Sequence, residues 1–213
     1  MYGPGIVVEA ALPRGDLFTA DPVAQAETLE ALAALVAACR NCALGSSRLN
    51  PVPGEGDPRA RLVCVGEAPG ATEDETGRPF VGRAGQLLND ILRSIGLARE
   101  AVFICNVLKC RPPGNRNPEP LEATACSPYL HRQLELIRPK VILAFGKPAA
   151  TTLLNVPAST ALGDLRGKVH RYRGIPLVVT YHPAALLRNP HWKAPTWDDV
   201  RIARRIFDDP AAG

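Results

Sequence analysis

Four of the six cysteines in the 213-residue chain have the spacing of a metal site. Cys39 and Cys42 form a C-x2-C pair, and Cys110 and Cys126 follow with 15 residues between them. A close pair joined by two distant partners is the pattern of a four-thiolate centre. Soft thiolates suit zinc or an iron–sulfur cluster, and the count alone does not choose. Cys64 and Cys105 lie inside apolar runs and read as small buried hydrophobes.

A second group of residues has the makings of a ligand site. Gly66-Glu67-Ala68-Pro69-Gly70 follows an apolar run, and Glu73 lies three residues beyond. The glycines let backbone approach a ligand closely. Without a following Gly-Lys-Ser/Thr the loop is not a phosphate-binding P-loop. Phe80, between Pro79 and Val81-Gly82, either covers the edge of a core or offers a stacking face to a planar ring. Asn106 ends another apolar run. Its carboxamide sets one acceptor beside two donors, the complement of a donor–acceptor edge, or it caps a turn. His182, after Tyr181 and before Pro183, is a core-edge histidine, an acid or base, or a donor aimed at a ligand oxygen.

The elements that must position these groups alternate in type. Strands are expected at 61–65, 102–107, 141–145 and 177–181, with a minor hairpin arm at 168–173. Helices are expected from Pro22 to Cys39 behind an Asp21 cap, at 84–95 closed by Gly96, at 121–137, at 148–154, and from a Thr196 cap to about Phe207. The expected fold is therefore α/β, a three-layer α/β/α sandwich around a central four-stranded parallel sheet. Ligands in such sheets bind beyond the carboxyl ends of the strands. That rule selects Gly66–Gly70, Asn106, Gly146 and Tyr181–His182. Residues 1–20, rich in Gly and Pro without periodicity, read as a flexible extension, and 21–209 as the folded domain.

Composition narrows the class. At 46% hydrophobic and 22% charged, with a net charge of +4, the chain is not disordered. No run of about 18 apolar residues is present, so no membrane span is expected. The first nine residues lack the basic and apolar regions of a signal peptide, which makes the cytoplasm the expected location. Of the 25 basic residues 20 are Arg, whose rigid fork of donors suits phosphates.

Four motifs stand in one order: Gly66–Gly70, Gly77-Arg78-Pro79-Phe80-Val81-Gly82, Asn106 with Lys109-Cys110-Arg111-Pro112-Pro113, and His182-Pro183-Ala184-Ala185-Leu186-Leu187-Arg188. Over roughly residues 25–207 the chain thereby resembles the family 4, or iron–sulfur, uracil-DNA glycosylases. The resemblance implies that Cys39, Cys42, Cys110 and Cys126 hold a [4Fe-4S] cluster with a structural role. It implies a uracil site made by Glu67, Ala68, Pro69, Gly70, Phe80, Asn106 and His182. In it Phe80 stacks on the base, Asn106 reads its pairing edge and His182 faces O2. Leu186, Leu187 and Arg188 match a loop that enters the minor groove.

The implied reaction has its own physical requirements. A base in a duplex must be flipped out, and a wedge, Leu187 or Arg188, offsets the lost stacking. Breaking the glycosidic bond leaves an oxocarbenium-like sugar and a uracil anion. His182 and backbone N–H groups answer the anion. Glu67 or Glu73 answers the sugar and positions a water, with Glu73 favoured. The loop from Gly70 to Glu73 is the candidate wall against thymine. Arg116, in a Pro-rich loop beside a thiolate, is a candidate phosphate contact, as are Arg78, Arg83 and Arg111. The expected partner is uracil-containing DNA, single- or double-stranded, met by a monomer. Competing readings are a non-catalytic iron–sulfur DNA-binding module, a hydrolase of free nucleosides, and a glycosylase of the same superfamily for other deaminated bases.

Overall fold

Four short runs of buried aliphatic residues build the centre of the sheet. The computed structural model describes residues 5–8 and 21–210. Among them seven strands form one sheet: β1 (Val7–Val8), β2 (Glu55–Gly56), β3 (Leu62–Gly66), β4 (Phe103–Asn106), β5 (Val141–Phe145), β6 (Val169–Tyr172) and β7 (Ile175–Thr180), in the order β1-β6-β7-β5-β3-β4-β2. The central four, β7-β5-β3-β4, are parallel. They are the four strands expected from the sequence. The expected count of four is corrected to seven by edge additions. β6 pairs antiparallel with β7, β2 pairs antiparallel with β4, and β1 pairs parallel with β6. The two-residue strands β1 and β2 are too short to show a periodicity, so nothing in the sequence marks them. Of the expected extension 1–20, residues 5–8 thus carry the outermost strand; the remainder lies outside the described residues.

Alternate residues of each central strand feed opposite cores, as a sheet covered on both faces requires. Val63, Val65, Ile142, Ala144, Leu177 and Val179 join one cluster. Leu62, Cys64, Val141, Leu143, Phe145 and Val178 join the other. The first face is covered by α1 (Pro22–Gln25), α2 (Leu29–Ala38), α6 (Pro120–Ile137) and α7 (Lys147–Leu154). The second is covered by α5 (Arg83–Ser94) and α10 (Lys193–Asp208). Short helices α3 (Leu44–Ser47), α4 (Ala71–Thr76), α8 (Leu162–Leu165) and α9 (Pro183–Arg188) complete the described set. This is the three-layer sandwich the sequence implies.

Two helix boundaries differ from expectation. The first helix is broken after Gln25: Thr28 caps a new start, its hydroxyl accepting from the Ala31 N–H. Thr196 is no cap but lies within α10, donating its hydroxyl to the Trp192 carbonyl. Gly96 does close α5. At φ +72 it places its N–H on the Arg93 carbonyl and that of Leu97 on the Leu92 carbonyl, closing the last turn.

The fully buried Asp199 of α10 locks the sheet to its cover. It accepts from Arg166, from the Thr180 hydroxyl and from the Gly167 N–H. Asp199→Ala strands the mostly buried Arg166 guanidinium, and the expected cost is about 3–5 kcal/mol, read from urea unfolding. A loss under about 1 kcal/mol would mean that Arg166 satisfies itself elsewhere.

Candidate active site

The pocket opens where β3, β4 and β7 end, as the sheet topology requires. Gly66 and Asn106, the last residues of β3 and β4, are register partners. His182 follows β7 by two residues. Around them lies a cavity of about 350 Å³ lined by Glu67, Ala68, Pro69, Gly70, Glu73, Phe80, Asn106, His182 and Arg188, with Pro112 and Asn115 to Asn117 at one side.

Gly66 is the base of this arrangement. A Cβ there would collide with Asn106 Oδ1 and with the Phe80 ring. The Phe80 ring is buried, 5.5 Å from His182 and 6.4 Å from Phe145 between centroids. It is held in a left-handed conformation at φ +51, unusual for a residue with a side chain. Arg99 fixes it there: the guanidinium donates to the Phe80 carbonyl at 3.0 Å and to the Pro79 carbonyl at 2.5 Å, and is itself held by Glu55 and Asn89. Gly85 permits the approach, since a Cβ there would strike the Phe80 carbonyl.

Asn106 is 1% exposed, and its Oδ1 is the one buried side-chain polar atom without a partner among the described residues. An orphaned acceptor facing a cavity marks a place for a ligand donor. Behind it the buried Lys109 Nζ donates to the Asn106 carbonyl at 2.7 Å and to Gln133 Oε1 at 2.6 Å, fixing the strand end.

His182 caps α9, and its Nδ1 accepts from the Ala184 N–H at 3.2 Å. The neutral ring therefore carries its proton on Nε2, ready to donate. Burial pushes its pKa down to about 4, Arg188 pushes the same way, and Glu73 opposes.

The two carboxylates of the loop differ. Glu73 Oε1 accepts from Val81 and Gly82 at 2.9 Å each, and Oε2 accepts from Gly70 at 3.2 Å. Among the described residues the Glu67 carboxylate has no such partner, and burial raises its pKa. Glu73, favoured from the sequence over its close competitor Glu67, thus already accepts from three backbone N–H groups.

The four cysteines meet beside this pocket. Burial pushes the Cys126 thiol up to about 12, and Cys110 and Cys39 add to it. Burial likewise raises Cys110, with contributions from Cys42 and Cys39. Two donors aim at the sulfurs: Arg48 Nη1 at Cys110 (3.0 Å) and the Lys109 N–H at Cys126 (3.2 Å). Such hydrogen bonds stabilise thiolates held by an inorganic centre. No group of three or more His, Cys, Asp or Glu among the described residues is arranged to hold a single metal ion. Cys64 and Cys105 are buried in the sheet, as expected.

A family model described as the uracil DNA glycosylase superfamily matches residues 53–201. The type-4 uracil-DNA glycosylase of Sulfurisphaera tokodaii is 44% identical over 86% of this chain and 87% of its own length. Those of Pyrobaculum aerophilum and Archaeoglobus fulgidus are 48% and 46% identical over 76% and 77% of the chain, and 86% and 85% of their own. The chain is a type-4 member of the uracil DNA glycosylase superfamily.

Not every residue matched to this superfamily's motifs stands at the pocket. Leu186 is 1% exposed and belongs to the core, so it is no surface contact; Leu187 beside it is 42% exposed. Arg116 lines the pocket, but its guanidinium is taken by Glu122 at 2.6 and 2.9 Å and by Glu119. Arg78 is likewise paired with Glu55, and Arg111 with Asn115. No local pattern marks Arg99 or Arg48, because each acts on residues distant along the chain; Lys109 holds the carbonyl of nearby Asn106 and reaches the remote Gln133 as well.

The histidine makes the fold sensitive to acid. An unfolded histidine titrates near 6.5, so between about pH 6.5 and 4 the unfolded chain takes up a proton that folded His182 does not. Stability therefore falls as pH drops through that window. Burial lowers His131 and His170 as well, and these remain in any variant. His182→Asn keeps a capping acceptor. It is expected to show a smaller drop in urea midpoint from pH 7 to about pH 4.5 than the wild type. An unchanged drop would mean that folded His182 takes up its proton normally.

Proposed function

We propose that the protein is a monofunctional uracil-DNA glycosylase of base excision repair. It accepts uracil flipped from single- or double-stranded DNA and hydrolyses the N-glycosidic bond, leaving an abasic site. The observation that carries this reading is the orphaned Asn106 Oδ1 in a pocket between Phe80 and His182. It supplies the acceptor that uracil N3–H needs, and the Asn106 amide N–H group serves O4. Phe80 stacks on the ring, while Ala68 and Pro69 pack around it with the Gly70 backbone. The rigid turn from Gly70 to Glu73 excludes the methyl group of thymine.

As the C1′–N1 bond breaks, the bonding pair stays with uracil, and negative charge gathers at O2. The Nε2–H of neutral His182 donates to that oxygen. The sugar becomes electron-poor at C1′. The Glu67 carboxylate faces it, and takes the proton of the water that adds there. A half-buried carboxylate with a raised pKa is a stronger base than an exposed one. Glu73 acts indirectly, as a positioning residue that fixes the turn beneath the base. Leu187 and Arg188 form the wedge that fills the vacated stack.

Cys39, Cys42, Cys110 and Cys126 would hold a [4Fe-4S] cluster. Its contribution is a cross-link, tying the end of α2 and the loop after β4 to α6. The donors at the sulfurs suit a thiolate-held centre, and the kinship with type-4 glycosylases favours the cluster over zinc. A thiolate-held cluster also fits a cytoplasmic setting.

A labelled uracil oligonucleotide, treated with protein and then alkali, tests the activity against a thymine strand. Cleavage is expected at uracil alone. His182→Ala, Asn106→Ala and Glu67→Gln should each lower the single-turnover rate about 100- to 1,000-fold; wild-type rates in these variants would sink the assignment. The purified protein should be brown, with about four irons and four sulfides per chain, both depleted in Cys126→Ser. A colourless chain with one zinc would replace the cluster by a single ion.

A further inference from the structure

A stacked pair of aromatic rings lies outside the residues assigned so far. Tyr181 and Trp192 have ring centroids 4.6 Å apart and planes inclined by only 12°. The Arg166 guanidinium also lies over the Tyr181 ring, 5.0 Å from its centroid. Arg166 is held in turn by Asp199 Oδ2, at 2.8 and 3.0 Å, and by the Pro195 carbonyl. A buried acid thus anchors a guanidinium, the guanidinium a tyrosine, and the tyrosine a tryptophan.

Core packing accounts for stacked rings when both are buried. Trp192 is 37% exposed, and Leu187 in the same segment is 42% exposed. From Tyr181 to Trp197 the chain carries Arg188, His191 and Lys193 and no acidic residue. The segment is also continuous with the pocket. Tyr181 precedes His182, Arg188 lines the cavity, and the Trp192 N–H reaches back to the Asn189 carbonyl at 3.1 Å. A rigid, half-open aromatic face in a basic segment fits a polyanion with exposed ring faces.

We infer that the open face of Trp192, backed by Tyr181, is a subsite for an unpaired nucleobase flanking the flipped uracil. The inference rests on the glycosylase reading for the path of the strand. An unpaired base presents its face freely, whereas a base in a duplex is already stacked on both sides. The platform therefore favours single-stranded DNA, or a flank that unstacks as the uracil leaves the helix. Every base has such a face, so the subsite is indifferent to sequence.

The chain has two tryptophans, which gives the subsite its own signal. In Trp197→Phe the emission comes from Trp192 alone. Titration with a uracil-free single-stranded oligothymidylate is expected to quench it, and the same length of duplex to quench it less. Trp192→Ala should raise KM on a single-stranded uracil oligonucleotide roughly 5- to 150-fold, the worth of one base–aromatic stack, with kcat unchanged. Trp192→Phe should restore most of the difference. Unquenched emission together with a wild-type KM in Trp192→Ala overturns the subsite and leaves the exposed face to another class of partner. Uracil release by the wild type is scored separately. Quenching without uracil release would sink the glycosylase reading and keep the platform; release without quenching would do the reverse.

Discussion

The absence of a side chain at Gly66 is the constraint on which the pocket depends. Parallel pairing of β3 and β4 brings Gly66 opposite Asn106, and the space a Cβ would fill is shared by the Asn106 amide and the Phe80 ring. Any side chain there would force one of the two away. Phe80 reaches this position only through a left-handed backbone held by Arg99 and admitted by Gly85. The strain is local and is offset by a guanidinium that is itself held by Glu55 and Asn89.

Two carboxylates six residues apart acquire different chemistry from their surroundings. Glu73 is consumed by three backbone N–H groups, which fix its orientation and make it part of the scaffold. Glu67 is desolvated without compensation, which leaves its carboxylate basic and open to a ligand or water. His182 is tuned by the same burial toward its neutral form, so it can donate a proton without carrying a charge into the pocket. Desolvation, more than direct charge pairing, sets the character of the site.

Lys109 joins this pocket to the cysteines. Its ammonium holds the Asn106 carbonyl, while its backbone N–H reaches Cys126 and its carbonyl accepts from Val52. The next residue is Cys110, which Arg48 ties to the carbonyls of Ala37 and Cys39 at the end of α2. The thiolate corner and the strand end that presents Asn106 are therefore one connected unit. A disturbance at the sulfurs has a short covalent and hydrogen-bonded route to the pocket floor.

The layers and the ingredients were legible in local patterns of residues. Buried aliphatic runs marked the four central strands, helical stripes marked their covers, and strand ends located Gly66, Asn106 and His182 as pocket residues. These signals are local, and local periodicity is enough to carry them. What depended on neighbours remote along the chain emerged with the fold. The fold placed Leu186 in the core, paired Arg116 with Glu122, added the two short edge strands β1 and β2, and gave Glu73 three backbone donors that Glu67 lacks. A hydrogen bond from Val81 to Glu73, or from Arg99 to Phe80, leaves no mark on the residues around it. The character of a side chain follows from how much water it loses and which donors it meets, and both are properties of the folded chain.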